Sequence, residues 1–295
     1  MGLEHRLVAR THECDHPPSV RSVPAVTQDL LPGGLSPAEI DAAVAKSVSD
    51  THTIYALDSD ALLAAKPDVV LTQATCAVCA VDVATVETAV CTMPSGAEIV
   101  SFDPIGLDDV VDGPQLIGRA VDGLREGLAL SSHMRTRLNW VRTRVAGGRR
   151  RRVAAIEWPD PLFAPGHWVP DMIDTAGGHS VFGTAGAQSI RSDMETLASS
   201  QPEVVVFAFC GYDLETTIEH ADALLADSRW DPLRAMSPHL LAIDGSGYVS
   251  RPGPRLVDGV EALAWALHKP HPDVRPQPGV MAHAIDGTWV DAASY

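Results

Sequence analysis

The sequence predicts an α/β protein built as two lobes joined by one long helix. Three observations predict it. Short apolar runs alternate with helical patterns on both sides of the chain's middle. Those runs, such as Val69–Leu71 and Val204–Phe209, are continuously apolar rather than alternating, as strands of a parallel sheet covered on both faces are. Between them, from Leu107 to Val145, no strand signal appears, and apolar residues recur at helical spacing. The expected division is an N-terminal α/β lobe over 1–106, linking helices over 107–148 and a C-terminal α/β lobe over 149–295.

Taken in order, Arg6–Arg10 reads as a short strand ending at THECDHPP, where Pro17 and Pro18 stop any regular element. SPAEIDAAVAKSVSD opens with Ser36 as N-cap, Pro37 at the first helical position and Glu39 at the third. A helix over SDALLAA, a strand from Val69, a helix over VDVATVETAV and a strand over EIVSFDP complete the first lobe. The linking segment is expected to break near Gly113-Pro114 and then run as a long helix that ends at Gly147-Gly148. In the second lobe, strands are expected at RVAAIEW, EVVVFAFC and HLLAIDG. Helices are expected at WVPDMIDTAGG, SDMETLASS, LETTIEHADALLADS and LVDGVEALAWALHK. The Pro-rich tail after His271 reads as loose.

Composition narrows the function. The 295-residue chain has a formal net charge of −16 and a pI near 5.0, which argues against a nucleic-acid groove. The basic run Arg149 to Arg152 has two readings, a phosphate patch or the cationic end of a helix, and the second fits its place before a strand. No run approaches the roughly 18 apolar residues of a membrane span. The first residues, MGLEHRLVARTHECDHPP, carry no export signal, which reads as a cytoplasmic location. The motifs GxSxG, HExxH, GxGxxG and the phosphate loop are absent, so neither a hydrolase nor a nucleotide enzyme has support.

Ligands of open parallel sheets bind beyond the carboxyl ends of the strands. Here those ends carry Thr11-His12-Glu13-Cys14, Cys76-Ala77-Val78-Cys79, Glu157-Trp158, Cys210-Gly211-Tyr212-Asp213 and Asp244-Gly245. If the lobes face each other, Cys14, Cys76, Cys79 and Cys210 converge on one cleft. Thiolates suit zinc and iron–sulfur clusters, and the two-residue gap between Cys76 and Cys79 lets both sulfurs reach one ion. The alternative is that they are small buried or ligand-lining residues. Phe163 to Pro170 sets His167 and Trp168 beside a Gly-Pro turn, where they either clamp a flat ligand or pack the following helix onto its sheet. Arg251 or Arg255 either meets an anionic ligand group or caps backbone carbonyls.

THECDHPP, KPDVVLTQATCAVCAVD, EWPDPLFAPGHWVPDMIDTAGG, FCGYDLETT and SRPGPRLVDGVE together resemble one group. It is the cobalamin-binding-protein branch of the ABC-transporter substrate-binding proteins of the helical-hinge class, which also holds vitamin-uptake and siderophore receptors. The resemblance runs from about Gly2 to Leu267. It implies two three-layer Rossmann-like lobes, a rigid connecting helix, a cobalamin-like or metal-chelate ligand held between the lobes, and an ABC permease as partner. The family opens with an extra strand and a Pro-Ser-x-Thr-Glu turn that this chain lacks. Either the start lies upstream, which would make the protein periplasmic or cell-surface, or one wall is missing. The expectation is a non-enzymatic binding protein whose ligand meets Glu13, Trp158, His167, Trp168, Tyr212 and Arg251. The alternative is a cytoplasmic metalloprotein, enzymatic or not, in which Cys14, Cys76, Cys79 and Cys210 hold an iron–sulfur cluster or zinc.

Overall fold

The computed structural model describes the chain apart from residues 52, 75–80, 82, 94, 95, 270, 272–274 and 295. The chain divides into two compact units. Unit 1 comprises Met1–Asp103 and Asp112–Ser131, and unit 2 comprises Pro104–Val111 and Ser132–Tyr295.

Unit 1 begins irregularly. The strand expected at Arg6–Arg10 is not there: Glu4–Arg6 forms a single 3-10 turn, and only Arg10 bridges, to Ala25. The reason is the Arg10 side chain. Its guanidinium donates to the carbonyls of Val23 at 3.0 Å, Thr11 at 2.9 Å and Cys14 at 3.2 Å, which coils the chain instead of extending it. β1 (Thr27–Asp29) pairs antiparallel with β2 (Tyr55–Leu57). Between them α1 (Pro37–Thr51) starts as expected. The Ser36 hydroxyl donates to Glu39 Oε2 at 2.7 Å and the Ser36 N–H to the same oxygen at 2.8 Å, which holds the Glu39 carboxyl below its usual pKa, and the Glu39 N–H donates back to Ser36 Oγ at 3.4 Å to close a capping box. α2 (Ser59–Ala65) is capped by Asp58, and α3 (Val83–Cys91) lies between the parallel strands β3 (Val69–Thr72) and β4 (Glu98–Ser101). Val26, Leu62, Val86, Ala89, Val90 and Met93 form the apolar core of this unit.

α4 (Leu107–Ala120) and α5 (Leu124–Val145) each lend residues to both units. The break is not at Gly113-Pro114, as expected. Pro114 sits inside α4, and the chain turns at Asp122, whose φ is +51°. The glycines here serve space rather than helix breaking. A Cβ on Gly127 would lie 2.1 Å from the Pro114 carbonyl oxygen, and one on Gly113 would lie 2.5 Å from the Phe102 ring. A sequence scan reads Gly-Pro as a breaker because the close neighbour is remote in the chain.

Unit 2 holds a six-stranded sheet. Its parallel strands are β5 (Arg152–Ile156), β8 (His179–Phe182), β10 (Val204–Phe207) and β11 (His239–Ile243), with β10 flanked by β5 and β11. β6 (Trp158–Pro159), β7 (Leu162–Ala164) and β9 (Ile190–Arg191) make a small separate sheet just past β5. The helices are α6 (Val169–Thr175), α7 (Met194–Ser199), α8 (Leu214–Ala226), α9 (Asp231–Met236) and α10 (Arg255–His268). Four of these five lie where the apolar periodicity placed helices, and α9 is additional. Ile156, Val205, Phe207, Phe209, Leu197, Trp230 and Leu233 pack as its core.

Two further readings are corrected. From Met281 onward the tail is not loose: β12 (Met281–Ile285) and β13 (Thr288–Asp291) form a hairpin that adds antiparallel to β11. Its turn residues, Asp286 at φ +49° and Gly287 at φ +77°, give the twist that a two-residue hairpin requires. The Asp-Gly pair was the available signal. The basic run lies past the end of α5 at Val145 rather than in its last turn, and three of its arginines bond to neighbours. Arg149 pairs with Glu203, Arg150 with Asp174 at 2.8 Å, and Arg152 donates to the Gln201 carbonyl at 3.1 Å. Among the described residues, no helix is long and apolar enough to cross a membrane.

Candidate functional site

The side chains with chemical potential in unit 2 gather past the carboxyl ends of β5, β10 and β11. β5 runs into Glu157 and Trp158. The Glu157 carboxylate accepts from Ser189 Oγ at 2.8 Å, and Ser189 Oγ accepts from the Gly166 N–H at 3.0 Å, so the loop before α6 is tied to the strand end. β10 runs through Ala208 and Phe209 into Cys210, Gly211 and Tyr212. The Cys210 N–H donates to the Glu157 carbonyl at 2.9 Å, which keeps the two strand exits in step. The rings of Trp158 and Tyr212 then meet, with centroids 5.4 Å apart and planes tilted by 40°. Burial pushes the Tyr212 phenol pKa up, so it stays protonated at neutral pH. Asp213 caps α8 through the Thr216 N–H at 2.9 Å, which holds its carboxyl below the usual range.

β11 ends in Asp244 and one π-helical turn, Ser246–Ser250. The Asp244 carboxylate accepts from the Gly247 N–H at 2.6 Å. Burial nevertheless raises its pKa, against the opposing pull of that N–H and of the charges on Arg255 and Arg251. Arg255 lies over the Tyr248 ring at 5.5 Å. Folded Asp244 therefore binds its proton more tightly than the unfolded chain does. That favours the fold at acid pH, and the contribution is lost as the pH rises through the raised value. Asp244→Asn keeps the acceptor and removes the charge. Because the carboxyl is part-exposed, water screens the gain, which is expected at about 0.5 kcal/mol at pH 7.5 and near zero at pH 4. Urea midpoints at the two pH values check it.

The remaining expected residues fall as follows. Trp168 is buried and its indole N–H donates to the Val249 carbonyl at 2.7 Å, so it anchors α6 to the π-helical turn. His167 sits at φ +49°, its N–H donating to Ala187 at 2.7 Å and its carbonyl accepting from Gly186 at 3.0 Å. Burial lowers its imidazole pKa, leaving the ring neutral. Arg251 is half-buried at the end of the π-helical turn. In unit 1, Glu13 lies 3.5 Å from the His12 ring, and Thr11 Oγ1 lies 3.2 Å from Cys14 Sγ, all in the turn coiled by Arg10. His12 Nδ1 meets Thr27 Oγ1 at 2.7 Å.

The four-cysteine site does not assemble in what is described. Cys76 and Cys79 lie outside the described residues. Cys14 belongs to unit 1 and Cys210 to unit 2, and both are exposed. Among the described residues, no group of three or more His, Cys, Asp or Glu side chains is placed to hold a metal ion. A groove of about 470 Å³ in unit 2 is lined by Asp108, Asp109, Arg142, Arg150, Asp171 and Asp174. Three of its carboxylates are committed elsewhere: Asp109 accepts from the Gly106 N–H just before α4, Asp171 from the Leu107 N–H that opens it, and Asp174 pairs with Arg150. It lies along the helices, where Arg150 marks the amino end of β5, not the carboxyl edge. His220 of α8 is the residue that sequence reasoning missed: its ring stacks on Tyr212 at 4.8 Å and 17°. Its place two turns into the helix that follows Tyr212 was the only hint.

The sequence model of the family described as periplasmic binding protein matches residues 1–239. Among curated proteins, none matches. Several solved structures share the fold. The periplasmic vitamin B12 binding protein of Vibrio cholerae is 19% identical, with a TM-score of 0.63, over 91% of this chain and 91% of that one. A periplasmic heme binding protein from Pseudomonas aeruginosa is 18% identical, with a TM-score of 0.65, over 91% of this chain and 87% of that one. An ABC transporter substrate-binding protein from Listeria monocytogenes is 16% identical, with a TM-score of 0.63, over 89% and 98%. At such identities the likeness establishes the two-lobed fold.

Proposed function

The chain belongs to the periplasmic binding protein family, and from that premise we propose that it captures a flat, conjugated macrocycle of the corrinoid or porphyrin kind for delivery to an ABC permease. The observation that carries this reading is the Trp158–Tyr212 ring pair at the carboxyl edge of the unit 2 sheet. Large rings with a polar rim suit a ligand that is apolar on its faces and polar at its edge. Arg251 and Arg255 stand past the next strand, where they suit carboxylate or amide groups on that edge. Two structures of like fold are named for vitamin B12 and heme binding, which supports the same ligand class. His167 remains in the proposal as a polar contact. Trp168, with its N–H spent on Val249, serves as support.

The metalloprotein alternative loses ground. The family match supports a binding protein rather than a cluster enzyme. The same match supports a periplasmic or cell-surface setting over the cytoplasmic one read from the first residues.

The test is titration of the purified protein with cyanocobalamin and with hemin, followed by tryptophan fluorescence and ligand absorption. Saturable binding of one of them is expected, and Trp158→Ala is expected to weaken it about tenfold. No uptake of either, or unchanged affinity in the variant, would count against the reading.

A further inference from the structure

We propose that His220 is the positioning residue of this aromatic wall: by stacking on Tyr212 it fixes the phenol so that its hydroxyl faces the ligand from a set place. The inference rests on the reading of Trp158 and Tyr212 as a ligand wall and names what holds that wall in shape.

The Tyr212 ring touches three others. His220 lies nearly parallel to it at 4.8 Å, Trp158 is tilted at 5.4 Å, and Phe209 stands edge-on at 6.4 Å. Phe209 is buried in the core, so it fixes the base of the arrangement. His220 covers one face of the phenol, which removes that face from the ligand and leaves the hydroxyl as the group on offer. Among the described residues that hydroxyl makes no hydrogen bond, and the His220 imidazole makes none either; its ring contact is with Tyr212. A half-exposed imidazole laid flat on a phenol acts here as a plate.

The plate is itself held rigidly. Asp213 caps the first turn of α8, and past His220 the Trp289 indole N–H donates to Asp222 Oδ1 at 2.7 Å. The helix carrying His220 is thus tied at its start to the β10 exit and farther along to the edge hairpin. A positioning group supported on both sides keeps its partner within the small tolerance that ligand recognition needs. Without His220, Tyr212 would be free to leave its rotamer, and binding would pay for ordering it again.

The experiment measures hemin and cyanocobalamin affinity for wild type, His220→Leu, His220→Phe and Tyr212→Ala, and for His220→Leu made in the Tyr212→Ala background. His220→Leu is expected to weaken binding about fivefold, because it keeps bulk but loses the flat ring. His220→Phe is expected to recover affinity to within about twofold of wild type. In the Tyr212→Ala background, His220→Leu is expected to add nothing, since the effect passes through Tyr212. Thermal midpoints of all variants report whether each is folded. Wild type that binds with unchanged affinity after His220→Leu overturns this inference alone, as does a full, additive loss in the Tyr212→Ala background. Wild type that takes up neither probe overturns it together with the proposed function.

Discussion

Replacing Gly245 with alanine is expected to cost about 3 kcal/mol of stability and to abolish ligand uptake. Gly245 lies two residues past the end of β11, with φ −64° and ψ −43°, a conformation open to any residue. Its requirement is therefore spatial. A Cβ there would lie 2.1 Å from the Phe209 carbonyl oxygen, 2.8 Å from the Phe209 carbonyl carbon and 2.9 Å from that of Ala208. All three are backbone atoms at the exit of β10, and no side chain can swing away to make room. The exits of β10 and β11 would have to part, and with them the Ser246 N–H that donates to the Tyr212 carbonyl at 3.0 Å. Tyr212 would then lose its place against Trp158. Gly211→Ala is the control: nothing lies within 4 Å of its Cβ, and only its φ of +80° opposes the change. That variant is expected to lose about 1 kcal/mol. Denaturant midpoints with unchanged slope, together with hemin and cyanocobalamin titration, distinguish the two. A Gly245→Ala protein within about 0.5 kcal/mol of wild type would refute the close approach.

Phe207→Ala is expected to cost about 4 kcal/mol. The side chain is fully buried at the end of β10, within reach of Phe209 at 5.8 Å, Trp230 at 6.0 Å and Trp289 at 6.2 Å. Truncation removes the apolar surface and leaves a cavity whose walls, two of them tryptophans, cannot collapse inward easily. Trp289 belongs to β13, so the hairpin is expected to loosen as well. Hydrogen exchange should show the amides of β12 and β13 losing protection before those of β5 and β10. A loss below about 1.5 kcal/mol, or a hairpin as protected as in wild type, would mean that the aromatic knot is not what holds the edge.

These effects bear on what was legible in the residues alone. The start of α1 was legible because Ser36, Pro37 and Glu39 act within one turn: the carboxylate, the hydroxyl and the fixed φ of proline need no remote partner. The strands β5, β10 and β11 were legible because strands covered on both faces carry consecutive apolar residues. The family resemblance likewise agreed with the family that matches residues 1–239. The hairpin was legible too, in Asp286-Gly287, but the prolines before it drew the reading toward a loose tail.

Arg10, Pro114 and the rings of the candidate wall were not legible in this way. Arg10 coils its strand because four carbonyls happen to lie around its guanidinium. Pro114 stays in its helix, with Gly127 leaving room for a close approach to its carbonyl. Trp158 and Tyr212 are 54 positions apart in the chain, and they meet because β5 and β10 are neighbours in register, Ile156 opposite Phe207. Local hydrogen bonds and the fixed φ of proline determined, from the sequence by itself, where α1 begins, and apolar runs determined which strands are buried. Which side chains share a surface was decided only by the tertiary path of the chain, because contacts between remote residues depend on strand order and register, which no single segment encodes.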